Sequence, residues 1–441
     1  MSANSGSWAA VRTLYLGGVR VLLSENVRRA GIYVASALTS ALIPFLLLPI
    51  LARTLGPEGY GLVGAFTGLV TLATVLIGLS TQAVLTTTYF RVEQEKHRRY
   101  LASCLWLAAL TAPTLWIVAT LAGDQLERMT GIGSAWTWAL VGAGAGQFLL
   151  SVSLAMCQVK GRALLFAGIQ VANSALNLGL TMLLVFALSR GWEGRAIGQC
   201  VATLGIGLAS LWLINLRQGV PVRSDRHTMV DTLKFGVMLV PHVLASAVMG
   251  SADRLILVSM IDAAAAGWYF VAFQVASVVS LTSSAINQAM APWLFRNLSA
   301  PGEDTRVRIV RTSYLVMALL VAQGAVLALL AHPIVLFAGG PEFAEAVPLV
   351  RILAIAMTLN GIYFLFTNYI FYTHRTHLLS MLTVTVSFVQ VAATLAFVHV
   401  FGIIGAAWAA VVANLLFAGG AWVIAAWLVP MPWLAFRRLV R

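Results

Sequence analysis

Two adjacent charged residues, Asp253 and Arg254, lie inside an apolar stretch that runs from 235 to 261. The stretch exceeds the roughly 20 residues that a helix needs to cross a bilayer core. A charge near the centre of such a helix costs about 2.5–3.5 kcal/mol. Neighbours in sequence do not face each other on a helix, so the two cannot simply neutralise one another. Two interpretations remain open: a structural ion pair between helices, or a water-filled cavity that handles a ligand.

Two further arginines lie at the edges of apolar segments, Arg53 at the end of the first and Arg351 one turn into a later one. At a rise of 1.5 Å per residue, both are expected in the outer half of the membrane, as are Asp253 and Arg254. Three guanidiniums with one carboxylate would give a net positive cavity. Guanidinium groups bind diphosphate oxygens through paired, charge-assisted hydrogen bonds. These four residues are therefore the candidate substrate-binding residues.

Polar and proline residues inside the apolar segments form a second set of candidates. Pro44 and Pro241 lie in the leading helix of each half, where a missing hydrogen bond permits bending. They are candidate hinges, with a static kink as the alternative. Polar side chains in membrane helices line a path or hold helices together by hydrogen bonds. The possible lining residues are Asn173, Asn177, His242, Gln274 and Asn360.

The composition indicates a polytopic membrane protein. Of the 441 residues, 60% are hydrophobic and only 10% are charged, with a mean hydropathy of +0.89, whereas soluble domains are about a quarter charged. The net charge of +13 lies in loops between apolar runs, which indicates membrane topology and not nucleic-acid binding. The three cysteines are isolated, and the spacing of His374 and His377 does not make a metal site. No metal, cofactor or catalytic residue is predicted.

The apolar runs predict an all-α fold with twelve membrane spans in two six-helix bundles, 31–216 and 235–428. Residues 1–30 are expected to form a cytoplasmic or interfacial arm, 217–234 a cytoplasmic linker, and 429–441 a cytoplasmic tail. Most Lys and Arg residues fall in alternate loops, which places both termini in the cytoplasm. The predicted spans are 32–53, 61–88, 101–122, 135–158, 164–188, 196–216, 235–261, 267–292, 312–332, 346–372, 378–400 and 403–428.

The chain also repeats itself at about half its length. GWEGRAIGQCVATL from Gly191 resembles GIIGAAWAAVVANL from Gly402, and the GlyTyr pair at 59–60 has a counterpart in GlyTrp at 267–268. Two halves of the same topology are typical of transporters whose substrate path lies between the repeats. The GAGAG run at 142–146 contains a GxxxG spacing, which predicts close helix packing and not a phosphate-binding loop.

Four segments resemble the polysaccharide-transporter family, the repeat-unit flippases of the multidrug/oligosaccharidyl-lipid/polysaccharide exporter superfamily. They are RTLGPEGYGLVGAF at 53–66, the run at 241–273 that includes Asp253, GGPEFAEAVPLVRIL at 339–353, and FGIIGAAWAAV at 401–411. The resemblance implies a V-shaped pair of bundles, a cationic central cavity and a bacterial inner-membrane location. It also implies movement of undecaprenyl-diphosphate-linked oligosaccharide from the cytoplasmic to the periplasmic leaflet. Membrane lipids and polysaccharide-assembly proteins are the expected partners.

Two other functions remain as alternatives. A multidrug extruder of the same fold would use a membrane carboxylate for coupling to H⁺ or Na⁺, and Asp253 is the available group. An enzyme acting on lipid-linked sugars would need catalytic groups on a substantial outer loop. No outer loop predicted here has that length or a paired carboxylate, so an enzyme is not expected.

Overall fold

The computed structural model describes residues 25–216, 219–299 and 302–433. Within these ranges the chain is helical and contains no strand, which confirms the all-α prediction. Eleven helices are long and apolar enough to cross a membrane, so the chain is a multi-pass membrane protein. Most of the predicted N-terminal arm, residues 1–24, lies outside the described residues, as does 434–441 of the predicted tail.

The described part of the chain contains fifteen α-helices. Those of the first half are α1 (Glu25–Gly78), α2 (Gln82–Thr88), α3 (Gln94–Leu121), α4 (Gly123–Thr130), α5 (Thr137–Val159), α6 (Ala163–Met182) and α7 (Gly191–Ile214). Those of the second half are α8 (Arg226–Met249), α9 (Ala252–Met260), α10 (Ala263–Leu298), α11 (Glu303–Leu329), α12 (Ala331–Gly339), α13 (Ala346–Tyr372), α14 (Thr376–Phe401) and α15 (Ile403–Leu428).

Helix α1 is broken at a single residue, Gly56, whose φ of 65° and ψ of −179° are not helical. Glycine tolerates this conformation because it has no Cβ, and the following Pro57 disfavours a helical residue before it. The predicted spans 32–53 and 61–88 fall on either side of this break. Helical geometry resumes at once after Gly56, so the two spans appear as one candidate, Phe45–Gly78. The number of candidate spans is therefore eleven and not the twelve predicted.

The stretch that carries Asp253 and Arg254 is two helices and not one. Helix α8 begins at Arg226, earlier than the predicted 235, because the Asp225 carboxylate caps it by accepting from the Thr228 backbone amide. Hydrogen bonds from the Thr228 amide and hydroxyl lower the pKa of Asp225. A break at Gly250 and Ser251 then separates α8 from α9. The charged pair consequently lies in the first turn of a short new helix.

The two halves share a large apolar core. It combines Leu47, Leu51 and Val63 of α1 with residues of α10, α13 and α15 from the second half. The predicted repeat is visible in the backbone: Gly191 and Gly402, which precede or begin the last long helix of each half, have φ values of 58° and 59°. The GAGAG run packs closely, since a Cβ on Gly146 would collide with the backbone of α7 at Leu204. The prediction of close packing there is confirmed.

The closest approach between the halves is a backbone crossing of α1 and α10. A Cβ on Gly267 would lie 2.8 Å from the carbonyl carbon of Pro57, and one on Gly61 would lie 2.8 Å from that of Ala263. Both added atoms would be closer still to the carbonyl oxygens. Backbone atoms cannot rotate away as a flexible side chain does. Only glycine fits at these two positions in this arrangement.

We expect Gly267→Ala to destabilise the protein by about 1–3 kcal/mol or more, since overpacking against backbone forces the helices apart. Thermal unfolding of the purified protein in detergent measures the effect. Gly179→Ala is the matched control, because a Cβ at Gly179 of α6 meets nothing within 4 Å and alanine favours a helix. A Gly267→Ala variant with the same melting temperature as the wild type would contradict the close backbone crossing of α1 and α10.

Candidate functional site

Asp253 is buried in a set of neutral hydrogen-bond donors. Its carboxylate accepts from the Tyr269 hydroxyl at 2.6 Å, from the Thr394 hydroxyl at 2.8 Å and from the Gln390 amide at 3.3 Å. These donors come from α10 and α14, and the side chain is only 5% exposed. The carboxylate therefore joins three helices of the second half.

Arg254 lies next to Asp253 but points to different partners. Its guanidinium donates to the carbonyl oxygen of Gly250 and lies over the rings of Phe270 and Phe273, at 4.8 and 5.4 Å from their centroids. Cation–π contacts of this kind stabilise a desolvated guanidinium. Among the described residues Arg254 forms no ion pair, with Asp253 or with any other carboxylate. Its partners are therefore a carbonyl oxygen and two aromatic rings, and not a carboxylate.

Tyr60 connects the two halves beside Arg254. Its hydroxyl donates to Gln274 Oε1 at 2.6 Å, and its ring lies 5.2 Å from that of Phe270. The hydroxyl lies within electrostatic range of two guanidiniums, those of Arg195 and Arg254. Tyr60 thus lies within electrostatic range of one cation from each half.

Arg195 is the site residue that sequence reasoning missed. It lies in the first turns of α7, and its Nη1 donates to Asn177 Oδ1 and, at 2.9 Å, to Thr181 Oγ1. Its Nε atom is buried and has no hydrogen-bond partner among the described residues. The sequence placed Arg195 in an outer loop because the predicted span began at 196. The glycine at 191, which starts the helix, was the available signal.

A cavity of about 400 Å³ that contains no charged side chain lies one helical turn along α7 from Arg195. Gln199, one helical turn after Arg195, contributes to its wall together with Gln147, Ser80 and Gln82. The side-chain oxygens of Gln199, Gln82 and Ser80 are buried and have no partner in the described part of the chain. Such atoms normally bind water or a ligand. The hydroxyls that complete the lining are those of Thr67, Thr71, Thr74 and Ser151.

The other two predicted arginines lie elsewhere. Arg53 donates to the carbonyl oxygens of Phe337, at 2.6 Å, and Leu336, which belong to the last turn of α12. A cation at a helix C-terminus stabilises those unpaired carbonyls. Arg351 is exposed on α13, next to buried Val350. The structure therefore brings Arg254, and not Arg53 or Arg351, to the point beside Tyr60.

The predicted polar lining divides into two groups. Gln274 and Asn177 contact Tyr60 and Arg195, as given above, whereas Asn360 accepts from Ser280 and donates to Asn414, between helices. The remaining two, Asn173 and His242, each have a buried polar atom without a partner in the described residues. Of the candidate hinges, Pro44 and Pro241 lie within α1 and α8. Both breaks in these helices come later, at Gly56 and Gly250.

The described ranges contain no group of three or more His, Cys, Asp or Glu side chains that could hold a metal ion. The three cysteines are buried and unpaired. The groups described in the site are guanidinium, hydroxyl and amide groups and the Asp253 carboxylate.

The fold defines an all-helical, multi-pass membrane protein. A family model described as "Polysaccharide biosynthesis protein" matches residues 27–298, more than half of the chain, and the protein belongs to that family. This confirms the resemblance predicted from the sequence. Two proteins of Haemophilus influenzae are similar over most of their length. An "Uncharacterized membrane protein" is 25% identical over 81% of this chain and 87% of its own, and "Lsg locus putative protein 1" is 22% identical over 83% and 89%.

Solved structures of transporters share the fold. The lipid II flippase MurJ in an inward closed conformation matches with a TM-score of 0.72 and 13% identity, over 89% of this chain and 87% of that one. An inward-facing multidrug resistance MATE family transporter of the MOP superfamily matches with a TM-score of 0.66 and 17% identity, over 88% and 95%. At these identities the similarity establishes the fold alone.

Proposed function

We propose that the protein is a flippase for undecaprenyl-diphosphate-linked oligosaccharide repeat units. It carries them from the cytoplasmic to the periplasmic leaflet of a bacterial inner membrane by alternating access, for export of a surface polysaccharide. Membership of the polysaccharide biosynthesis family supports a role in making a surface polysaccharide. The fold shared with a lipid II flippase supports movement of a lipid-linked sugar between the two leaflets.

One observation carries the proposal: Arg195 and Arg254, one from each half, lie within electrostatic range of Tyr60 and form no ion pair with a carboxylate among the described residues. Two unpaired guanidiniums in a low-dielectric interior are costly unless an anion occupies the site for part of the cycle. A diphosphate carries the charge and the oxygen geometry that two guanidiniums bind well. Because each half supplies one of them, a bound diphosphate would be held by both halves at once.

The neutral cavity next to Arg195 supports a sugar as the group attached to the phosphate. Sugars present hydroxyls that act as both donors and acceptors, and hydroxyl and amide side chains suit them. No Asp, Glu, Lys or Arg lines this cavity. A cavity for cationic drugs would be expected to contain a carboxylate.

The proposed topology has twelve crossings, with both termini in the cytoplasm. It treats the two arms of α1, 25–55 and 57–78, as separate crossings joined at Gly56. Either arm has at least the roughly 20 residues needed. The break then lies at the outer surface, with Arg53 beside it.

A cation-coupled extruder remains the second candidate because of two observations. Asp253 is a carboxylate within the membrane region, and MATE transporters share the fold. Against it, Asp253 already accepts hydrogen bonds from three side chains and is almost fully buried. That arrangement suits a structural carboxylate better than one that exchanges a cation with a path.

Deletion of the gene distinguishes the flippase from the cation-coupled extruder. The flippase proposal expects lipid-linked oligosaccharide to accumulate, protected from periplasmic enzymes, with surface polysaccharide lost. Mass analysis of extracted lipid-linked sugars measures it. Increased sensitivity to cationic drugs, with normal surface polysaccharide and no accumulated intermediate, would instead establish the extruder.

A further inference from the structure

The largest cavity described lies away from the proposed substrate site, within the first half of the chain. It has a volume of about 650 Å³ and is formed by the segment before α3, the start of α3, the end of α5 and the end of α7. All of its lining residues precede residue 217. It opens on the face that the charge distribution assigns to the cytoplasm.

Three cations, Arg98, Lys160 and Arg162, line this cavity, and no Asp or Glu does. Lys160 is half-buried in the turn between α5 and α6. Burial lowers the pKa of Lys160, and repulsion from Arg162 lowers it further. Three positive charges thus line one cavity, and Arg162 is near enough to Lys160 to repel it.

The rest of the wall combines polar and apolar side chains. His97 is buried, its Nε2 is 3.0 Å from the carbonyl oxygen of Leu85, and its ring packs edge-on against Tyr89 at 5.0 Å. Because the carbonyl can only accept, Nε2 carries the proton. Gln94 and Asn215 complete the polar lining. The His97 ring is therefore held in place in this wall by its hydrogen bond and its contact with Tyr89.

We propose that this cavity is a binding site for a phosphate-bearing anion, held chiefly by Lys160 and Arg162. The excess of cations on cytoplasmic loops accounts for basic residues on this face. It does not account for a half-buried lysine next to a second cation. Positive loop residues orient a membrane protein while exposed to solvent, so orientation gives no reason for burying one of them. A phosphate would offset that repulsion and accept hydrogen bonds from both side chains.

Two sources supply such a group at a membrane surface: the head group of an anionic phospholipid, or the diphosphate of a lipid-linked sugar. Basic pockets between helices on this side bind anionic head groups. The site contains neither Arg195 nor Arg254, so it does not depend on the function proposed above. The test treats the two sources separately.

The test uses the purified full-length protein and the double variant Lys160→Gln with Arg162→Gln. Native mass spectrometry compares retention of phosphatidylglycerol and phosphatidylcholine, and thermal unfolding measures protection by inorganic pyrophosphate. Arg91→Gln with Lys96→Gln is the matched control, because it removes the same charge from exposed positions outside the cavity. We expect the cavity variant, and not the control, to weaken binding of an anionic probe at least about tenfold.

The outcome identifies the source. Selective loss of phosphatidylglycerol assigns the site to bilayer lipid, whereas selective loss of pyrophosphate protection assigns it to a diphosphate. Equal binding of both probes by the cavity variant and the control would overturn the proposal. A charge-retaining pair, Lys160→Arg with Arg162→Lys, separates binding from folding, since we expect it to bind both probes as the wild type does.

Discussion

Arg254→Ala should abolish export of surface polysaccharide while the protein remains abundant in the membrane. The substitution removes a buried guanidinium that forms no ion pair with a carboxylate among the described residues. Hydrogen bonds to charged groups contribute about 1.5–3 kcal/mol each. Losing two to a diphosphate would lower transport roughly a hundredfold or more. Surface polysaccharide and membrane abundance, measured in the same cells, give the result.

Two comparisons sharpen this prediction. Arg195→Ala should be as severe, because that residue approaches Tyr60 from the other half. Arg351→Ala should be mild, because its side chain is exposed and lies on a different helix. Normal export by Arg254→Ala would remove Arg254 from the site. Loss of export in Arg351→Ala alone would show that the anion binds at α13 and not beside Tyr60.

Asp253→Ala should destabilise the second half, by about 3 kcal/mol or more. It leaves the Tyr269 hydroxyl, the Thr394 hydroxyl and the Gln390 amide without their shared acceptor. Each buried donor left unpaired costs about 1–3 kcal/mol. Thermal unfolding of the purified variant measures the loss. Thr394→Val, which removes a single donor and keeps the carboxylate, should lower the melting temperature much less.

Asp253→Asn separates a structural role from proton coupling. The amide keeps the size and one acceptor oxygen, so a structural carboxylate should leave export largely intact. A variant that folds and melts like the wild type yet exports nothing would show that Asp253 exchanges a proton. Full activity in both Asp253→Asn and Asp253→Ala would reject either role for the carboxylate.

Much of the fold follows from hydropathy alone. Long apolar runs must form helices in a bilayer, because unpaired backbone groups are too costly there, so the positions of most spans were predictable. The breaks were predictable only in part. Gly56 lies between the predicted spans 32–53 and 61–88, beside Arg53 and Pro57. The Gly250–Ser251 break lies inside the predicted span 235–261, and a window average does not register one or two residues with different dihedral angles.

The site was predictable in its chemistry and less so in its members. Asp253 and Arg254 were found because charge is rare in such a segment, and Gln274 and Asn177 were found as polar residues in helices. Arg195 was missed because it lies at the start of a helix, where an arginine is expected outside the apolar span and does not by itself indicate a binding site. Arg53 was selected for its charge, but its hydrogen bonds go to the end of α12. Which neighbour an arginine reaches depends on packing between distant segments, and no local pattern encodes it.

The crossing of α1 and α10 has a consequence for how such a protein would change shape. At Gly61 and Gly267 the two backbones touch with no side chain between them. The same two helices are also joined by core side chains and by the hydrogen bond from Tyr60 to Gln274, and Arg53 adds a bond from the first half to a helix end in the second. Separation of the halves would break these polar contacts together with apolar packing, so substitutions at Tyr60 or Arg53 would change how readily the halves separate.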